Sequence, residues 1–302
     1  MIDFSGRVAL VTGAGRGLGL AYAKGLAARG ATVILQDSGT LADGSGRDPS
    51  VAEAATRALR EAGATVFAAP GDTASRAACR DLVAEAIGVH GRLDILIHNA
   101  GWVGYQPIEE LEPDFHARMM QVGVDAPLWL VQAAWPAMRE AAFGRILLTT
   151  SDRAIYPQYA QAGLASYGAA KMAAIGIANM LAHEGRPYGI TANVISPVAK
   201  TRMWGVEGEP DELRPDAVAP GALYLVAPDC TASGWVLRAA NGQFTATQAR
   251  EAAGVTYPRD LNALAAATPE DLAAVWPRIA AAWPEARADT RGPLAASPLQ
   301  AS

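Results

Sequence analysis

The sequence predicts an α/β protein: a doubly wound parallel sheet of about seven strands with helices on both faces, and a helical appendage at the C-terminal end. Three observations carry this prediction. Short runs of β-branched and aliphatic residues alternate with longer Ala/Leu-rich stretches of helical period. The strand-like runs are continuously apolar rather than alternating, as strands buried on both faces require. Hydrophobic residues make up 51% of the 302 positions and charged residues only 18%, which is enough apolar material for a large core.

Strands are expected at 8–11, 32–35, 65–68, 93–97, 145–149, 190–195 and 235–237. Helical period marks 18–29, 51–61, 74–87, 113–141, 165–184 and 215–226. Such alternation implies βαβ crossovers and hence a parallel sheet. Two segments break the rhythm. Residues 38–50 (SGTLADGSGRDPS) form an exposed loop longer than α/β connections need. After Gly242 the strand rhythm stops, and one more helix starts near residue 268 and runs to about Trp283. Thr268 suits its N-cap, Pro269 its first position, and Asp271 the positive helix end. The expected organisation is a main domain over 1–245, a helical extension over 246–285 and a disordered tail over 286–302.

Composition narrows the function classes. Net charge is −5 and no Lys/Arg cluster marks a phosphate-backbone footprint, so nucleic acid is not an expected partner. The two cysteines, Cys79 and Cys230, form no metal-type pair, and the four histidines have no H-x-x-x-H spacing; no metal is expected. Cys79 reads as a small core hydrophobe. The opening MIDFSGRVALVTGAG has no cationic stretch followed by an apolar one, and no apolar run approaches 18 residues. The expectation is a soluble cytoplasmic protein without membrane contact.

The first strand runs into Thr12-Gly13-Ala14-Gly15-Arg16-Gly17-Leu18-Gly19, and a helix follows. A strand, a glycine turn and a helix N-terminus together offer unpaired N–H groups and a positive dipole end to a pyrophosphate. Gly13 permits the tight turn, Gly17 the close approach of phosphate, and Gly19 close helix–strand packing. The pattern points to a Rossmann-type dinucleotide site. Asp37 ends the next strand, 18 residues beyond Gly19. A carboxylate there accepts from ribose hydroxyls and repels a 2′-phosphate, which favours NAD over NADP. Arg16 argues weakly for NADP, since its guanidinium could pair with that phosphate.

Tyr167-Gly-Ala-Ala-Lys171 lies on a helical stretch, and its i, i+4 spacing puts phenol and ammonium on one face. A tyrosine ordinarily ionises near pH 10; a neighbouring ammonium favours the phenolate, so the expectation is a phenol that works as an acid or base near neutrality.

With these motifs in place, the sequence resembles the short-chain dehydrogenase/reductase family. The matching residues are the glycine loop at 12–19, Asp72 after the third strand, and His98-Asn99-Ala100-Gly101 where the family has N-N-A-G. Ser151, Tyr167 with Lys171, and Asn193-Val194-Ile195-Ser196-Pro197 complete the set. The resemblance implies Tyr167 as catalytic acid/base, Lys171 on the nicotinamide ribose, and Ser151 on the substrate oxygen. It further implies that Gly13, Arg16, Gly17, Leu18, Gly19, Asp37, Asp72, Thr73, Asn99, Ala100, Gly101, Pro197 and Thr201 line the cofactor. The 38–50 loop, Gln132-Ala-Ala-Trp135, Thr201-Arg-Met203 and the helix after Thr268 are similar to the (3R)-hydroxyacyl-CoA dehydrogenase domain of peroxisomal multifunctional enzymes.

Three departures stand out. Gly123 occupies the position where many members carry a relay Asn. The gap from Ser151 to Tyr167 is longer than usual, with a small insertion in 156–165. Asp152-Arg153 replaces small residues after the serine, read either as a local surface ion pair or as Arg153 at the substrate mouth, facing a carboxylate or phosphate. Trp102, Tyr105 and Trp204 are candidate walls of an apolar substrate pocket, and His98 reads as a structural hydrogen-bond partner. The expected activity is NAD-linked interconversion of a secondary alcohol and a ketone by a homodimer or homotetramer, with a 3-hydroxyacyl-CoA or another bulky hydroxy compound as substrate. The rival readings are a cofactor-retaining epimerase or dehydratase and a dinucleotide-binding regulator of weak activity.

Overall fold

The computed structural model describes residues 2–206, 208, 210–249 and 268–280. The chain divides into two compact units, Met1–Gln248 and Ala249–Ser302. Within the first, eight strands form one sheet in the order β3-β2-β1-β4-β5-β6-β7-β8. They are β1 (Val8–Thr12), β2 (Thr32–Asp37), β3 (Val66–Pro70), β4 (Ile95–His98), β5 (Gly144–Thr149), β6 (Ile190–Val198), β7 (Val236–Ala240) and β8 (Gln243–Thr247). The first seven are parallel. The order reverses beside β1, and ligands of such sheets bind in the crevice at the carboxyl ends there.

Period-2 geometry explains why the apolar runs are continuous. Along β1, Ala9 and Val11 enter one core while Val8 and Leu10 enter the other. Helices α1 (Gly17–Ala27) and α8 (Ala219–Leu225) cover the first face, through Tyr22, Leu26 and Leu223. Helices α3 (Arg76–His90), α5 (Ala126–Glu140) and α7 (Ala165–Gly185) cover the second, through Val83, Leu130, Met138 and Ala174. Helix α2 (Ser50–Glu61) follows the 38–50 loop.

All seven expected strands form, but the rhythm does not stop after Gly242. Asn241 and Gly242 both take positive φ, 51° and 75°, and turn the chain into β8, antiparallel to β7. That is the backbone of a two-residue hairpin turn, for which Asn-Gly is the strongest short signal. The expected single helix over 113–141 is also interrupted. Helix α4 (Pro113–Met120) passes into a π turn at Gln121–Asp125 before α5 begins, with Ala126 N–H donating to the Gln121 carbonyl five residues back. Pro127, lacking an N–H, cannot bond to the Gly123 carbonyl, and the widened turn absorbs the missing rung.

In the second unit, α9 (Pro269–Ala280) starts as expected. Thr268 Oγ1 accepts from Asp271 N–H at 3.1 Å, and Asp271 Oδ2 accepts from Thr268 N–H at 3.2 Å, a reciprocal cap. The expected helix end near Trp283 and the 286–302 tail lie outside the described residues. Among the described residues, no helix is long and apolar enough to cross a membrane, and no His/Cys/Asp/Glu group is arranged to hold a metal.

Candidate active site

The glycine loop packs tightly against the end of β4. A Cβ on Gly19 would lie 2.1 Å from the Gly13 carbonyl oxygen, and one on Gly13 (φ 62°) would lie 2.9 Å from Ala100 Cα. Only glycine allows both approaches. Asn99 braces the same contact, its Nδ2 donating to the Gly13 carbonyl at 3.2 Å. Helix α1 begins at Gly17 without a side-chain cap. Facing it, Thr201 Cγ2 would lie 3.3 Å from a Cβ on Gly17, and Thr201 Oγ1 is buried without a protein partner. An uncapped helix N-terminus opposite an orphaned hydroxyl fits the phosphates of a dinucleotide.

Asp37 is buried at the end of β2. Its Oδ2 accepts from Gly15 N–H at 2.8 Å and its Oδ1 from Gly39 N–H at 2.7 Å. The carboxylate therefore shapes the loop, and each oxygen keeps a second lone pair for ribose hydroxyls. Arg16 turns away, donating through Nη2 to the Thr40 carbonyl at 2.8 Å. Asp72 is bound more firmly than expected. Its Oδ2 pairs with Arg47 at 2.7 Å and Arg118 at 2.8 Å, and its Oδ1 accepts from Ala74 N–H at 3.0 Å. Thr73 is buried, and its carbonyl accepts from Cys79 Sγ at 3.1 Å; burial pushes that core thiol up to about 12.

The catalytic candidates meet on the other side of this crevice. Ser151 caps the short helix α6 (Asp152–Ile155), its hydroxyl accepting from Arg153 N–H at 3.3 Å, and it is hydrogen-bonded to Tyr167 in the first turn of α7. Lys171, one turn on, donates to the Thr149 carbonyl at 3.2 Å, and its Nζ lies 5.8 Å from the Tyr167 ring centroid. A Cβ on Gly101 would lie 3.5 Å from that Nζ, which sets the ammonium beside the end of β4. The longer gap between Ser151 and Tyr167 thus still brings the three side chains together.

Their ionisation differs from the sequence-based expectation. Burial pushes the Tyr167 phenol above its ordinary value, while the Ser151 hydrogen bond and then the Arg153 charge pull the other way. Burial brings Lys171 down to about 8. Desolvation, and not the neighbouring ammonium, dominates the phenol, so Tyr167 is a protonated acid at neutral pH.

Asp152 and Arg153 do not pair with each other. Asp152 is buried, accepts from Ser196 Oγ at 2.7 Å, and has Arg238 Nε at 2.6 Å from Oδ2, close as an ion pair though off-axis as a hydrogen bond. These partners lie on β6 and β7 and anchor the segment carrying Ser151. Arg153 points the other way. Its Nη1 donates to the Tyr105 hydroxyl at 2.5 Å, Tyr105 donates to Gln161 at 2.9 Å, and the guanidinium lies 5.9 Å from the Trp204 ring centroid. A cavity of about 480 Å³ opens here, lined by Arg153, Gln161, Ile108, Leu164 and Ala165 among others. Tyr105 and Trp204 thus flank Arg153. Neither of them lines the cavity itself, nor does Trp102, which packs in the core, edge-on to Phe115 and against Gly44. Pro197 lies on β6 and Leu18 in α1, both half-buried.

Gly123 leaves no room for a side chain, since a Cβ there would lie 2.8 Å from Ala170 Cβ on α7. Sequence reasoning passed over Gln161 and Arg238, and met Ser196 and Arg202 only within Asn193-Val194-Ile195-Ser196-Pro197 and Thr201-Arg-Met203. Gln161, Ser196 and Arg238 act through contacts 44 to 86 residues apart, Gln161 from within the insertion.

The known proteins resembling this chain share both arrangement and sequence. The profile of the short chain dehydrogenase family matches residues 7–211. Peroxisomal multifunctional enzyme A of Dictyostelium discoideum is 33% identical over 281 residues, 92% of this chain and 61% of that enzyme, so the chain spans less than two thirds of that relative. A short chain dehydrogenase from Mycobacterium avium superimposes with a TM-score of 0.77 at 28% identity, covering 93% of this chain and 96% of that one. Another, from Burkholderia cenocepacia in complex with NADP, gives 0.68 at 29% identity, covering 78% and 97%. A glycine loop at the sheet's switch point and a serine–tyrosine–lysine cluster across the crevice, matched along more than half the chain, place this protein in the short-chain dehydrogenase/reductase family of oxidoreductases.

Proposed function

We propose that the protein is an NAD(H)-dependent dehydrogenase that interconverts a secondary alcohol and a ketone. The observation that carries this reading is the convergence of Ser151, Tyr167 and Lys171 beside the glycine loop. Asp37 supports NAD, because its buried carboxylate stands where an added 2′-phosphate would meet negative charge.

The nicotinamide supplies the hydride when bound. Gly13, Gly17, Gly19 and Thr201 would hold its phosphates, Asp37 its adenosine ribose, and Asn99, Ala100, Gly101 and Lys171 its nicotinamide side. In reduction, Tyr167 donates its phenolic proton to the substrate oxygen, and Ser151 donates a hydrogen bond to the same oxygen. Ser151 is suited to this because it already accepts from Arg153 N–H, which polarises its hydroxyl toward donation. In oxidation the proton returns to Tyr167, and the Ser151 hydrogen bond and Arg153 charge favour the phenolate that receives it. Lys171, brought to about 8, is mostly charged at neutral pH and donates to ribose hydroxyls.

The cavity beside Arg153 is mainly apolar and carries both Arg153 and Glu109 in its wall. Its Arg153 side supports a bulky hydroxy or oxo substrate that carries an anionic group. A spectrophotometric screen of acyl-CoAs, steroids, aromatic alcohols and hydroxy acids with NAD and NADH tests the assignment. Stoichiometric conversion of one nicotinamide form into the other is expected. Product formation without net cofactor turnover would instead identify an epimerase or dehydratase, and dinucleotide binding with no turnover a regulator.

A further inference from the structure

We propose that Arg238 is a positioning residue for the reaction: through the Asp152 carboxylate it holds Ser151 in place, roofed by two tyrosines of the 156–165 insertion. The proposal rests on the reading of Ser151 as the group that binds the substrate oxygen, and it gives β7 a part in the active site.

Ser151 stands between two ties to consecutive residues of β6. On one side Thr150 N–H donates to the Ile195 carbonyl at 2.9 Å. On the other, Asp152 Oδ1 accepts from Ser196 Oγ at 2.7 Å. The second tie puts a carboxylate where there is little water, and Arg238 supplies the compensating charge. Strand register sets Arg238 beside Ser196, and its Nε lies 2.6 Å from Asp152 Oδ2. The insertion closes over this pair. Arg238 Nη2 donates to the Tyr159 hydroxyl at 3.1 Å, and the guanidinium lies 5.0 Å from the Tyr159 ring centroid and 5.8 Å from that of Tyr156. The two rings meet edge to face at 6.2 Å, and Tyr156 is hydrogen-bonded to Thr247 of β8. Two aromatic rings and a hydroxyl thus hold the cation over the carboxylate. The longer gap between Ser151 and Tyr167 and the added strand β8 meet at one guanidinium.

The pair is asymmetric. The Arg238 side chain is 36% exposed and can be solvated without a partner, whereas the Asp152 side chain is 8% exposed and cannot. Loss of Arg238 therefore strands a buried negative charge directly after Ser151. Such a charge draws Asp152 toward water and away from Ser196. It also opposes the negative charge that develops on the substrate oxygen and on Tyr167. The other charged and titratable groups around Tyr167 are Arg153, Tyr105 and Lys171, and a substitution at Arg238 alters none of them.

Hydrogen exchange of the full chain and steady-state oxidation of 3-hydroxybutyryl-CoA by NAD test this in wild type, R238M, R238K and the neutral pair D152N/R238M. Without ligand, R238M should exchange faster at the Ala154, Ile155 and Tyr156 amides, which close the turns of α6. The glycine loop at 12–19 should keep its wild-type protection. In catalysis, R238M should lower kcat about tenfold or more while KM and NAD affinity stay within about twofold. It should also move the acidic limb of oxidation up by about half a pH unit or more. R238K should recover most of kcat, and D152N/R238M should return the limb to its wild-type place because it removes the stranded charge. If R238M does not fold, D152N/R238M should; failure of both would overturn the proposal. So would unchanged exchange at α6, faster exchange at α6 and the glycine loop alike, or a kcat loss in R238M with no shift of the limb. Absence of NAD-linked turnover with every substrate of the screen would instead overturn the dehydrogenase reading, and the exchange comparison would still decide whether Arg238 holds the Ser151 segment.

Discussion

The Thr12 hydroxyl lies 3.0 Å from His98 Nδ1, and the other ring nitrogen lies 3.0 Å from the Val122 carbonyl in the π turn. A carbonyl only accepts, so Nε2 carries the hydrogen and Nδ1 accepts from Thr12. The Thr12 oxygen in turn accepts from Asn99 and Ala100 N–H, both at 3.1 Å. One neutral histidine therefore ties the end of β1, the cofactor-facing turn after β4 and the π turn together.

Burial brings His98 down to about 4 from 6.5. Its neutral form is the folded form, so this stability is fully present above pH 6.5 and is lost as pH falls toward 4. The span corresponds to roughly 3 kcal/mol. Chemical denaturation at pH 7 and pH 4.5 should show a large loss in wild type and a much smaller one in His98→Asn. Equal acid sensitivity would remove His98 as the cause.

Gly123 meets α7 so closely that a methyl group must displace Ala170. Gly123→Ala should cost about 1–3 kcal/mol, and Ala170→Gly should restore part of it in the double variant. Additive losses in a denaturant double-mutant cycle would show that the two sites do not touch.

Tyr167→Phe keeps the buried ring and removes the proton. Turnover should fall on the order of 100-fold or more while NAD binding persists. Because burial raises the phenol, it stays protonated across the neutral range, so wild-type ketone reduction should not fall there through loss of the Tyr167 proton. Near-wild-type turnover would assign the proton to another group.

Arg153 lines the cavity while its Nη1 donates to the Tyr105 hydroxyl. Arg153→Ala should raise KM roughly tenfold or more for an acidic substrate and leave its neutral ester and NAD affinity nearly unchanged. The same KM change for acid and ester would remove the anion-recognition role.

Asp37 should make NAD bind at least about tenfold more tightly than NADP, roughly 1.4 kcal/mol. Asp37→Ala should narrow that gap, at some cost in stability because Gly15 and Gly39 N–H lose their acceptor. Equal dissociation constants in wild type, or preference for NADP, would reverse the cofactor assignment.

The sequence by itself determined what depends on neighbours along the chain. Apolar runs marked all seven parallel strands, the glycine loop marked the crevice, and i, i+4 spacing placed Tyr167 with Lys171. Thr268 and Asp271 announced their reciprocal cap. The Asn241-Gly242 turn was equally local, but the following Gln-Phe-Thr-Ala-Thr is exposed on an edge strand and lacks the apolar run that marked the others. The tertiary structure decided everything resting on distant partners. Asp152 could pair with its neighbour or with Arg238, and burial beside β6 and β7 selected Arg238. Tyr167 could be lowered by Lys171 or raised by desolvation, and enclosure by α4, the π turn and the β4 end raised it. In both cases charge acts through space and burial, which the order of residues along the chain does not record.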